Sequence, residues 1–211
     1  AYAAYGRATG DARWLKKADE LLQSVLDLLA NPGKLDPKID PATRSGKALA
    51  VPMILINTAQ ELRRFGGTQN DTYTRLIDDC IEEVRRDFLK PEYRCVLEQV
   101  GPAGELIDHY DGRQINPGHG IELAWFILRE AAERDNDAEL IALGCKILDF
   151  QWEQGWDVEF GGILYYRDAK GLSSPEYWHH MKFWWPHNEA EIATLMAFRL
   201  TGDSKYANWF E

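Results

Sequence analysis

Apolar residues recur at helical spacing along most of the chain, and the breaks between the runs are as regular as the runs themselves. Ala1 to Ala8 reads as the end of a helix stopped at Thr9-Gly10. Asp11 then caps a helix whose buried stripe is Trp14, Leu15, Ala18, Leu21, Leu22, Val25 and Leu29. The same tight turn followed by an N-capping aspartate returns at Asp71, Asp137 and Asp203, at intervals of 60, 66 and 66 residues. A second regular feature lies between these caps. Pro52, Pro117 and Pro186 each open an apolar helix, 41, 46 and 49 residues after the preceding aspartate, because proline fits the first helical turn, where its missing N–H costs nothing. The polar connections carry two strand-like pieces, Cys95 to Val100 before the Gly101-Pro102-Ala103-Gly104 turn and Ile163 to Tyr166 after Gly161-Gly162. Both are expected to form hairpins at one end of a helical array.

Two helices per unit at a long fixed period imply an all-α array or toroid, since one helix pair cannot bury its apolar face alone. About three units are visible. A ring of six pairs needs roughly twice this length at ordinary helix and loop sizes. The chain starts at Ala1 and its last stretch, Lys205 to Glu211, opens an amphipathic helix. The reading is therefore a single domain over residues 1–211, the central part of an (α/α)6 barrel lacking helices at both ends.

Composition narrows the function classes. The formal net charge is −10, and no Lys/Arg cluster interleaves with aromatics, so nucleic acid is an unfavourable partner. The longest apolar run, Ala48 to Ile56, is interrupted by Pro52 and too short for a bilayer; no membrane association is expected. Cys80, Cys95 and Cys145 are odd in number and lack metal-like spacing, which suits a reducing compartment, here the cytoplasm. No cofactor or metal is expected.

Candidate chemistry sits on the proline-initiated helices, where polar residues intrude into apolar stripes. His119 and Glu122 are three apart after Pro117, so they share a face at the positive end of a helix dipole. Asn57, Glu122 and Glu191 each lie five residues after their proline, and Glu189 lies three after Pro186. In a ring these first turns point into one cavity. A cleft lined by Asn57, His119, Glu122 and Glu189 and floored by Trp125, Trp184 and Trp185 suits a sugar, whose C–H faces pack on indoles while carboxylates and amides hold its hydroxyls. The plainer account makes the tryptophans core residues and the chain a partner-binding solenoid. His109, His179 and His180 then lie in solvated connections, His187 serves a helix end, and Glu191 is a surface charge. Clustering on three successive helices favours a site.

Four strings, in order, resemble the N-acylglucosamine 2-epimerase (renin-binding protein) family: Leu49 to Asn57; Asn116 to Glu122 with Trp125-Phe126; Gly155-Trp156-Asp157 with Gly161-Gly162; and Met181 to Ala190. The resemblance implies an (α/α)6 toroid that interconverts N-acetylglucosamine and N-acetylmannosamine through an enediolate. It makes His119 one of two bases acting at C2, with its counterpart expected beyond Glu211 and a sugar-binding arginine before Ala1. Glu122 and Glu189 match positions associated with orienting the bases and with ring opening, and Asn57 matches a polar pocket position. A neutral imidazole at a helix N-terminus, its tautomer fixed by the carboxylate of Glu122 one turn on, meets the chemical demand. The resemblance also allows a homodimer in the complete protein and control by a nucleotide. Alternatives are a cellobiose 2-epimerase or aldose–ketose isomerase using the same histidine, an inverting glycosidase using Glu122 and Glu189, and a non-enzymatic binding array.

Overall fold

The computed structural model describes residues 1–36, 40, 43–66 and 70–211, and its elements are mainly helices. They are α1 (Tyr2–Thr9), α2 (Ala12–Ala30), α3 (Ala50–Arg64), α4 (Asn70–Glu83), α5 (Pro117–Glu133), α6 (Ala138–Gly155), α7 (Trp184–Thr201) and α8 (Ser204–Phe210). Six two-residue strands accompany them: β1 (Lys47–Ala48), β2 (Leu89–Lys90), β3 (Cys95–Val96), β4 (Gln99–Val100), β5 (Gln114–Ile115) and β6 (Arg167–Asp168). The chain forms two compact units, one of Ala1–Gly46 with Ile54–Glu82, the other of Lys47–Met53 with Glu83–Glu211.

Most boundaries follow the sequence. Gly10 ends α1 at φ 70°, and Gly202 ends α7 at the same angle, a conformation glycine enters without steric cost. The carboxylates of Asp11, Asp137 and Asp203 accept hydrogen bonds from the first N–H groups of α2, α6 and α8. Asp71 is the second residue of α4, inside its first turn, where a cap was expected. Gly67 of the turn expected before it falls outside the described residues. Pro117 begins α5, whereas Pro52 and Pro186 are the third residues of α3 and α7. All three positions lie in a first turn, whose N–H groups have no partner within the helix.

In the first unit Leu22, Ile56, Tyr73 and Ile77 are buried, and the Tyr73 hydroxyl donates to the buried carboxylate of Asp19. The second unit has the larger core, with Ile121, Ala124, Phe126, Ile127 and Leu128 of α5 and Ile147 and Leu148 of α6 essentially inaccessible. α5 packs on α6 and on α7. Its contact with α6 is close because position 144 is glycine: a Cβ there would lie 2.7 Å from Leu128 Cγ and 3.1 Å from the Ala124 carbonyl oxygen. Further along α6, Trp152 is sandwiched between Trp156 and Trp209 of α8, with ring centroids 4.7 and 4.5 Å apart and planes 10° and 3° from parallel.

The expected hairpins are reorganised. Cys95 to Val100 is two strands, not one: β3 turns back on β2, while β4 pairs with the distant β1. Ile163 bridges Trp156, and the chain enters a strand only at β6, which pairs with β5. Two of the three pairings are thus long-range ties between connections. Leu97 continues the local β2–β3 pairing through its N–H on Phe88, and Glu98 then leads away from it, using its backbone groups on Gln114 and Leu49.

Gly144→Val should destabilise the protein by about 1–3 kcal/mol, the usual cost of overpacking, because one of the atoms met is main chain and cannot yield. Chemical denaturation of the two forms measures it.

Candidate active site

The first turn of α5 is locked by its cap. Asn116 has extended backbone angles, and its Oδ1 accepts the His119 N–H at 3.1 Å while its carbonyl accepts from Gly120. With proline at the first helical position, these bonds fix the backbone of His119. Gly118 lets α7 close in, since a Cβ there would sit 2.7 Å from the ring of Trp185 and 3.0 Å from Pro186 Cβ. Trp185 accordingly stacks on the His119 imidazole, centroids 5.2 Å apart with planes 30° from parallel. One turn on, the Trp125 indole N–H donates to Glu189 Oε2 at 2.5 Å. Contacts that advance together along α5 and α7 mean that the two helices run parallel and present their first turns side by side.

The partner of the imidazole is Glu98, whose Oε2 lies 3.0 Å from His119 Nδ1. Its own position is set by main chain: the Glu98 N–H donates to the Gln114 carbonyl at 3.1 Å, and its carbonyl accepts from Leu49 at 3.0 Å. Leu49 immediately precedes α3, so the start of that helix joins the same frame. The carboxylate hydrogen-bonded to the imidazole is therefore Glu98, in the place where Glu122 was expected. Glu98 escaped the sequence reading because it belongs to no helix and no motif. Its one signal was a carboxylate inside the apolar run Cys95-Val96-Leu97-Glu98-Gln99-Val100.

Charge in the pocket is coupled. Burial works to lower the pKa of His119, but the hydrogen bond and charge of Glu98 and the charge of Glu122 outweigh it, so the imidazole sits above its ordinary value. Burial pushes Glu122 up, the negative charge of Glu189 pushes it further, and His119 opposes them. Behind the pair, burial raises the phenol of Tyr166; contact with Asn116 opposes this and the charge of Glu98 adds to it.

The structure thus gathers His119, Glu122, Glu189, Trp125 and Trp185. Trp184 stands at the start of α7 with 74% of its surface exposed. Asn57 lies in the first unit, on the wall of a hollow of about 610 Å³ with Tyr2, Leu22 and Glu61. Glu191 is exposed, as a surface charge would be. His187 is structural, since its Nδ1–H donates to the Phe183 carbonyl at 2.7 Å and its Nε2 accepts the Ile163 N–H at 3.0 Å. This seats the Gly161-Gly162 turn on α7. Gly162 has φ 87°, and a Cβ there would lie 2.9 Å from the same Nε2. Among the described residues, no group of three or more His, Cys, Asp or Glu is placed to hold a metal ion, and no helix is long and apolar enough to cross a membrane.

The sequence pattern of the N-acylglucosamine 2-epimerase (GlcNAc 2-epimerase) family matches residues 47–211, which include Asn57, Glu98, His119, Glu122, Trp125, Trp184, Trp185 and Glu189. The chain belongs to the N-acylglucosamine 2-epimerase family. It is 36% identical to the N-acylglucosamine 2-epimerase of Bos taurus over 199 residues, 93% of this chain and 47% of that protein. Against the Homo sapiens N-acylglucosamine 2-epimerase it is 34% identical over 200 residues, 93% of this chain and 46% of that one. The chain spans about half the length of the curated relatives it matches. Among solved structures, the cellobiose 2-epimerase of Bacillus thermoamylovorans B4167 superposes with a TM-score of 0.78 at 15% identity, over 99% of this chain and 55% of that one. A sugar epimerase from a ruminal bacterium gives 0.77 at 19%, over 99% and 54%. An inactive variant of the α-1,6-mannanase of Salegentibacter sp. HEL1_6 gives 0.68 at 18%, over 99% and 54%. At such identities these likenesses establish the fold class alone, the α/α toroid of the epimerases and mannanases.

The epimerase-family site makes a pH prediction. Because the Glu122 carboxyl is raised in the folded protein, ionising it costs more there than in the unfolded chain. The associated stability is present below the ordinary carboxylate range, near 4.5, and is lost as pH rises through the raised folded value. Glu122→Gln, neutral throughout, should therefore gain thermal stability relative to the parent between about pH 4 and pH 7.5. Paired melts at the two pH values decide, and an equal difference at both would refute the assignment.

Proposed function

We propose that the complete protein containing this chain is a sugar 2-epimerase that interconverts N-acetylglucosamine and N-acetylmannosamine by removing and returning the C2 proton. The observation that carries the reading is His119 held at a helix N-terminus, with Glu98 on Nδ1 and Trp185 across one face, in a family whose curated relatives are N-acylglucosamine 2-epimerases. A proton α to an aldehyde is a weak acid, so its removal needs a base with a pKa near the working pH and donors for the enediolate oxygen. Against the lowering effect of burial, the carboxylates of Glu98 and Glu122 raise the His119 imidazole above its ordinary value, which strengthens it as a proton acceptor, and the N-terminus of α5 favours the developing negative charge. The Trp185 and Trp125 rings offer apolar faces to a pyranose. Burial and the charge of Glu189 both push the Glu122 carboxyl above its ordinary range, which suits it to donating a proton to a sugar oxygen during ring opening.

The likeness to mannanases gives the pair Glu122 and Glu189 a second reading as the carboxylates of a glycosidase. Oligosaccharide incubation separates them, because hydrolysis creates new reducing ends and epimerisation does not.

In the complete enzyme His119→Asn should leave the fold intact and lower epimerisation ~10²–10⁴-fold, the usual loss on removing a general base. C2 deuterium incorporation by NMR, started separately from each epimer, reads the same step. Native exchange in a well-folded variant would remove His119 from the mechanism, and exchange from one epimer alone would assign the face it serves.

A further inference from the structure

The hydrogen bond between Glu98 and His119 carries more than the presence of a base. We infer that Glu98 is the positioning residue of this site: it holds the proton of neutral His119 on Nδ1 and thereby makes Nε2 the atom that exchanges a proton with substrate. The inference rests on the epimerase reading only for the identity of that proton, and the hydrogen-bond logic holds without it.

The geometry leads there directly. A neutral imidazole has one N–H and one lone pair, and whichever nitrogen faces a carboxylate must carry the hydrogen, because a carboxylate has no proton to give. Glu98 Oε2 is 3.0 Å from Nδ1, whereas Nε2 has no hydrogen-bond partner among the described residues. His119 therefore differs from His187, whose two nitrogens are both occupied by main-chain groups. Glu98 is restrained on both sides by main-chain bonds to Gln114 and Leu49, and its side chain is only 16% exposed. Its other oxygen, Oε1, is buried with no hydrogen-bond partner among the described residues. Leaving a buried acceptor unpaired is costly, so this carboxylate is held where stability alone would not put it. Asn116 fixes the backbone of His119 and Trp185 covers one ring face, leaving rotation about χ2 as the freedom that Glu98 removes.

In the proton transfer so defined the C2–H bond breaks, the proton bonds to Nε2, and the bonding pair enters the enediolate. The imidazolium then donates from both nitrogens, and the negative charge of Glu98 stabilises it. Three other polar groups face this assembly: Glu122 on α5, whose charge acts on His119, Glu189 on α7, whose charge acts on Glu122, and Tyr166, whose phenol feels the charge of Glu98.

The test uses the complete enzyme with Glu98→Gln, Glu98→Asp and Glu98→Ala. Long-range ¹H–¹⁵N spectra of the imidazole rings, with His119→Asn to identify the signal, read the tautomer directly. The parent should carry its neutral-form proton on Nδ1, and Glu98→Ala should shift the population toward Nε2–H. With N-acetylglucosamine, Glu98→Ala should lower kcat ~10²-fold or more with little change in KM, a loss within the range of a disabled general base. Glu98→Gln, which keeps an acceptor but not the charge, should lose less and move the acid limb of the pH–rate profile to lower pH. Glu98→Asp should recover part of the rate. Native kcat and pH profile in a folded Glu98→Ala protein, or an Nε2–H tautomer in the parent, would overturn the proposal. A parent with the Nδ1–H tautomer but no C2 exchange would overturn the epimerase reading while leaving the positioning role of Glu98 standing.

Discussion

The two main-chain hydrogen bonds of Glu98 are the constraint on which the site depends. One reaches Gln114, two residues before the cap of α5, and the other reaches Leu49, the residue before α3. A segment of irregular backbone therefore ties together two helix starts, and its side chain closes on the imidazole that one of them carries. The cost of this arrangement is visible in the buried, unpaired Oε1. Such local frustration is common where structure serves chemistry rather than stability.

The short strands support the same frame. β1 on β4 and β5 on β6 are each two residues long and contribute little by themselves, yet they join connections separated by about fifty residues of chain. Asp87 shows how such connections are held: Lys47, just inside β1, reaches its carboxylate at 2.6 Å and Arg86 at 2.8 Å, and the guanidinium bond, aided by Lys47 against the cost of burial, keeps its pKa down at about 2. The inner helices then need only direct their first turns toward the frame, which proline at 117 and 186 and glycine at 118 allow by removing an N–H or a side chain from a crowded place.

What the sequence made legible was what local rules determine. Asp11, Asp137 and Asp203 cap helices because a short carboxylate reaches free N–H groups two or three residues on. His119 and Glu189 could be found because they sit a fixed distance from a helix-opening proline. Glu98 could not be found this way: its partner is 21 residues away, and its direction is set by bonds to Leu49 and Gln114 that no periodicity encodes. The strand expectation was incomplete for the same reason: Cys95-Val96 and Ile163 do pair locally, but β4 and β6 take distant partners. Family resemblance pointed to His119, while the carboxylate beside it is set by the folded arrangement of Glu98.

The triple stack of Trp156, Trp152 and Trp209 has a consequence outside catalysis. Near-parallel indoles at 4.5 and 4.7 Å couple their electronic transitions, so the near-ultraviolet circular dichroism of this protein carries a contribution that one isolated indole cannot produce. Because Trp209 belongs to α8 and Trp152 to α6, that signal reports the docking of the last helix separately from helix content. An intrinsic optical gauge of one helix–helix seam is thus built into the chain without any label.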